Sequence, residues 1–176
     1  MVIIPSENNT AQQFSSDVVL LFLTRFIRLF AYGSLSVVLV FYLTDLGLST
    51  AQTGVLFTLT LVGDTVISFY LTTRADRIGR RRMLIIGAVL MIAAGAVFAI
   101  THSFLLLTIA ATIGVISPSG NEVGPFLSIE QAALSSVISE RTRTQVFAWY
   151  TLAGSFATAL GALATGAITH ALKKPQ

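Results

Sequence analysis

Long apolar runs separated by short polar breaks dominate this chain. The runs at 18–43, 53–73, 83–101 and 147–171 fit the roughly 17 to 25 residues that a helix needs to cross a bilayer. The unit 103–138 differs. As one straight helix it would measure roughly 54 Å at 1.5 Å per residue, too long for a single crossing, while 103–117 and 126–138 are each too short to cross alone. The pattern predicts one span interrupted at Pro118-Ser119-Gly120-Asn121-Glu122-Val123-Gly124-Pro125, where two prolines remove backbone donors and two glycines loosen the helix. The expected architecture is therefore an all-α polytopic membrane helix bundle of about five transmembrane helices over 17–171. The polar segment 1–16 is expected to be disordered and cytoplasmic, and 172–176 to form a short tail.

Composition agrees with a membrane solvent. Hydrophobic residues make up 54% of the chain and charged residues 11%, with a mean hydropathy of +0.80, whereas about a quarter of a soluble domain is charged. The net charge of +3 is not a general basicity, because Arg74, Arg77, Arg80, Arg81, Arg82, Arg141 and Arg143 all fall in two inter-span connections. Such clusters collect on the cytoplasmic side. That rule predicts a cytoplasmic N-terminus and an external Lys173-Lys174 tail, and the cell (plasma) membrane is the expected location of this multi-pass protein. It also argues against a nucleic-acid partner, since the flanks of the arginine cluster are lipid-compatible. Residues 1–16 contain no basic n-region and no small-residue cleavage site, so the first span is expected to stay as an anchor. No cysteine is present, and His102 and His170 lie far apart in sequence; neither a metal site nor a cofactor is expected.

Charges inside the spans carry the functional signal, because an Arg or Asp at a helix centre costs about 2.5–3.5 kcal/mol on insertion scales. Counted at 1.5 Å per residue from the cytoplasmic ends, Arg25 lies roughly 10 Å deep, Arg28 about 15 Å, Asp64 about 13 Å and Glu130 about 12 Å. Two cations and two anions share a level, so one arginine is expected to face Asp64 and the other Glu130. Arg25, Arg28, Tyr32 and Ser36 follow helical spacing and form one polar stripe; Thr53, Thr60, Asp64 and Ser68 form another. These stripes can wall a polar path that binds a polar or anionic solute, or lock the helices through ion pairs, and the residues leave both readings open. Asn121 and Glu122 in the interrupted span are further candidates for the path, unless the break rises to the interface. On the last run, Ala153, Ala157, Gly161 and Thr165, flanked by Gly154, Thr158, Ala162 and Gly166, form a small-residue face suited to close packing. Trp149 and Tyr150 at its start are expected to anchor at the interface. No Ser, His and Asp constellation occurs at one depth, so no enzyme is expected.

The segment Thr72-Thr73-Arg74-Ala75-Asp76-Arg77-Ile78-Gly79-Arg80-Arg81-Arg82 resembles the loop signature of the major facilitator superfamily, G-x-L-A-D-R-x-G-R-R-x, in its expected place between the second and third spans. The match is specific in its Asp-Arg-x-Gly-Arg-Arg core, while Thr72 replaces the leading Gly and Arg74 the following Leu. Tyr42-Leu43-Thr44-Asp45-Leu46-Gly47-Leu48-Ser49 is similar to the family's first external loop, and Arg141-Thr142-Arg143 to its connection before the fifth span. The resemblance implies a conformational role for Asp76, Arg77, Gly79, Arg80 and Arg81. It also implies a secondary transporter of a small solute, with or without a coupling ion, of which this chain is the N-terminal five-span portion. Members usually have two six-span halves with the substrate bound between them, so the second half would come from the rest of a longer chain or from another subunit. The alternative is a non-transporting truncated membrane protein or a subunit of a larger assembly. Gly161-Ala162-Leu163-Ala164-Thr165-Gly166 resembles the antiporter pattern G-P-x-x-G-G, with Ala162 in place of Pro and Thr165 in place of Gly. The basic residue that many members carry early in the fourth span has no counterpart in 103–117.

Overall fold

Each long apolar run folds as a helix. The computed structural model describes residues 7–114 and 125–172. They form α1 (Glu7–Asp45), α2 (Thr50–Ile78), α3 (Arg80–Ile100), α4 (Phe104–Ile113), α5 (Phe126–Val137) and α6 (Arg143–Leu172). Four helices are long and apolar enough to cross a membrane: Ser16–Asp45, Thr50–Ile78, Arg80–Ile100 and Arg143–Ala171. The interrupted fourth unit is α4 followed by α5. Of its expected break, only Pro125 is among the described residues, and it caps the start of α5.

Two boundaries depart from the expectation. The polar residues 7–16 are not disordered but continue α1, because extending a helix already formed adds one hydrogen bond per residue without a new nucleation cost, and neither Gly nor Pro interrupts them. The arginine-rich connection is also tighter than a nine-residue loop. It shrinks to Gly79, which ends α2 and begins α3 at φ 105° and ψ 128°. Its N–H closes α2 on the Ala75 carbonyl at 2.9 Å. Only glycine adopts that backbone cheaply, and a Cβ there would meet nothing within 4 Å, so the constraint is conformational rather than steric. Gly79→Ala is expected to lower stability by about 1–3 kcal/mol while the chain still inserts, read as a lower melting temperature in detergent; an unchanged melting temperature would remove this assignment.

Packing divides the helices into two groups, joined by α5 at one end and by α1 at the other. α1 lies along α6, with Leu29, Tyr32 and Ala157 in one buried cluster. The backbones approach so closely that a Cβ on Gly33 would overlap the Thr158 carbonyl and one on Gly161 the Phe30 carbonyl. The small-residue face thus serves close packing as expected, although its buried row runs Tyr150, Gly154, Ala157 and Gly161, and Ala153 and Thr165 are only half-buried. In the second group, Leu71 and Ala75 of α2 and Met83 of α3 enclose Ile129 of α5. At the opposite end Leu39 and Leu43 of α1 meet Leu56 of α2 and Leu107 and Ala111 of α4.

The outside is apolar. Only 17–33% of each span's most hydrophobic window is buried, and Phe69, Ile100 and Leu163 are 70–80% exposed. A water-soluble bundle does not carry apolar surface on that scale. The chain is an integral, multi-pass membrane protein.

Candidate functional site

Glu130 lies at the centre of a buried polar network built by three helices. On α1, Arg25 and Arg28 are one turn apart and share the face turned to α5 and α6. On α5, Phe126 and Glu130 are also one turn apart, which sets a ring and a carboxylate on the same side. Arg28 grips Glu130 with both arms of its guanidinium: Nη1 donates to Oε1 at 2.7 Å and Nη2 to Oε2 at 2.8 Å. The same guanidinium stacks 4.3 Å from the Phe126 ring centre. From α6, the Tyr150 hydroxyl donates to Glu130 Oε2 at 2.6 Å. Its ring lies 4.2 Å from the Arg25 guanidinium carbon and stands nearly perpendicular to that of Phe22 at 5.0 Å between centres. Gly154, one turn beyond Tyr150, leaves the room that Arg25 fills, since a Cβ there would stand 2.7 Å from Arg25 Nε.

All four members are secluded: Arg25 and Arg28 are 6% exposed, Glu130 1% and Tyr150 0%. A lone charge at that depth would be costly, and two parallel charge-assisted hydrogen bonds with a phenol on the same carboxylate offset much of that cost. The geometry holds two guanidiniums at one level, one clasping a carboxylate and the other lying on an aromatic face. Such an arrangement suits a site for anionic or hydrogen-bond-accepting groups, and equally a lock between helices.

The structure brings together part of what the spacing suggests. Arg28 is the arginine that faces Glu130. Asp64 is 4% exposed on α2, which packs on α4 with Gly63 against Thr112. Tyr32 is buried on the network's face of α1. Asn121 and Glu122 lie outside the described residues.

Tyr150 was expected to anchor at the interface with Trp149, and here the structure corrects the sequence reading. Trp149 is 58% exposed, as an anchor would be, but Tyr150 points inward. Depth could have revealed it. Both Tyr150 and Glu130 stand seven residues inside their helix ends, roughly 10 Å at 1.5 Å per residue, and Tyr150 begins the row of small residues that faces α1.

The arginine connection touches α5 on both sides of Glu130. Arg80 Nη1 donates to the Ala132 carbonyl at 3.1 Å, and the Thr72 and Ser128 hydroxyls meet at 3.1 Å. Arg80 also reaches Asp76 at 3.5 Å. Arg77 and Arg81 are exposed.

Comparison with known proteins accords with this architecture. The Major Facilitator Superfamily profile matches residues 21–173. An uncharacterized membrane protein of Saccharomyces cerevisiae is 39% identical over 160 residues, which cover 91% of this chain and 36% of that protein. The quinolone resistance protein NorA of Staphylococcus aureus is 29% identical over 103 residues, or 58% of this chain and 26% of NorA. The chain therefore spans about a third of the length of the yeast relative.

Proposed function

The chain belongs to the major facilitator superfamily, and from that membership we propose that it forms the first spans of a secondary transporter, with the Arg28–Glu130–Tyr150 network in the wall of the solute path. The second half of the path comes from the rest of a longer chain or from another subunit. The observation that carries the reading is the burial of two arginines and a carboxylate at membrane depth. Ser68 Oγ is buried with no hydrogen-bond partner among the described residues, which leaves its hydroxyl for a solute or water admitted when the path opens. The arginines point to a polar or anionic solute. A second reading, a helix lock without transport, is favoured by the engagement of both Glu130 oxygens.

The chain contains no cysteine, so single substitutions can be labelled cleanly. Ser36→Cys and Ser68→Cys should react with a small hydrophilic thiol reagent, while Ser155→Cys, on the outward face of α6, should not. Protection of both inner positions would favour the lock. The same series reads orientation. We assign the N-terminus to the cytoplasmic side of the plasma membrane, so in intact cells an impermeant reagent should label Ser49→Cys and spare Ser139→Cys; the reverse pattern would overturn the assignment.

A further inference from the structure

We propose that the arginine-rich end of the bundle is a docking surface for the headgroups of anionic phospholipids. Seven arginines gather there against three described carboxylates, Asp17 at the start of the first span, Asp76 and Glu140. The Arg80 contact to the Ala132 carbonyl shows that the α2–α3 connection and the end of α5 share this end. Asp76 and Glu140 engage Arg80 and Arg143, at 3.5 and 4.0 Å. Arg74, Arg77, Arg81, Arg82 and Arg141 are exposed, and none of them forms an ion pair among the described residues. Orientation of the chain requires positive charge at this end but not this surplus of uncompensated, outward-facing guanidiniums.

The depth of the cluster selects the partner. With Gly79 alone between α2 and α3, Arg74, Arg77, Arg80, Arg81 and Arg82 stay on the last and first turns of two spans, while Arg141 lies in the short connection between α5 and α6. Arg74 fixes the level: its guanidinium carbon lies 4.8 Å from the Tyr70 ring centre, and Tyr70 and its neighbour Phe69 are 53% and 73% exposed on the outer surface. Outward-facing tyrosines of spanning helices collect at the headgroup layer, and Tyr70 lies two turns inside the end of α2, which places the stacked guanidinium beside the lipid phosphates. A planar fork of donors matches a phosphate or carboxylate two bonds at a time. Each basic side chain near an anionic surface strengthens attraction about fivefold.

Titration of the purified full chain, in neutral detergent, with short-chain phosphatidylserine and phosphatidylcholine tests the proposal. Native mass spectrometry of the retained lipid gives the ratio of their dissociation constants. Phosphatidylserine should bind at least about tenfold more tightly, and R77Q/R81Q/R82Q should remove most of that preference while the melting temperature holds. If the triple variant inserts poorly, the wild-type chain still decides: raising salt from about 50 to about 500 mM should abolish a preference made by exposed charges. Equal affinity for the two lipids overturns the proposal, as does a preference that survives both high salt and the triple substitution. Displacement of phosphatidylserine by inorganic phosphate at matched ionic strength would also overturn it, by showing that a free anion suffices.

Discussion

Glu130→Gln should destabilise the folded chain by about 3–5 kcal/mol, the range found when one partner of a buried ion pair is removed. The amide keeps an oxygen for the Tyr150 hydroxyl but returns no charge to Arg28, whose guanidinium stays at 6% exposure. The direct readout is the fraction of monodisperse protein that survives a heating series in detergent. The loss should be largely repaired in Arg28→Met/Glu130→Gln, which removes the stranded charge together with its partner and leaves the amide oxygen to Tyr150. The difference between the single and double variants isolates the pair from the rest of the network. A Glu130→Gln protein as stable as the wild type would show that the carboxylate is not holding the arginine, and the network would lose its place in both readings of the site. A double variant that folds normally yet loses solute binding in the longer protein would assign Arg28 to the solute. One that still binds would assign it to the frame.

What the sequence made legible follows from the strength of each signal. Spans were readable because a bilayer imposes a length on apolar runs, and a run of 19 to 26 residues has few alternative fates. The depth of Arg25, Arg28 and Glu130 could be counted from the same constraint, since a helix rises by a fixed amount per residue. Lateral placement could not be counted. Which arginine meets Glu130 depends on how α1 is rotated against α5 and α6, and a count of residues along one helix does not fix that rotation. The inward turn of Tyr150 was hidden for a related reason: beside Trp149 it reads as one of an aromatic pair, and only the rotation of α6 sends one ring to lipid and the other to the core. The one-residue turn at Gly79 was masked by the arginines around it, because charge suggests a loop while the backbone of a helix tolerates arginine well.

That rotation of α6 is set by its small residues, and enlarging one of them should undo the site from a distance. A Cβ at Gly161 would overlap the Phe30 carbonyl, a backbone atom that cannot swing aside, so Gly161→Ala already requires α1 and α6 to separate, and Gly161→Leu requires it by the width of a side chain. Overpacking of this kind costs about 1–3 kcal/mol and more where the backbone itself must move. In a bilayer, tight approach is a main source of helix association, so the loss is not recovered by burying the added side chain against lipid. Gly166→Ala supplies the control on the same helix. A Cβ there meets nothing within 4 Å, and the change should be neutral or stabilise by up to about 1 kcal/mol through helix propensity. The two variants should therefore move the melting temperature in opposite directions, or leave Gly166→Ala unchanged. Splaying α1 from α6 also draws Tyr150 away from Glu130 and Arg25, so Gly161→Leu should speed labelling of Ser36→Cys by the hydrophilic reagent. Equal stability of Gly161→Leu and the wild type would mean that the helices are not held at this contact, and the placement of Tyr150 would need another cause.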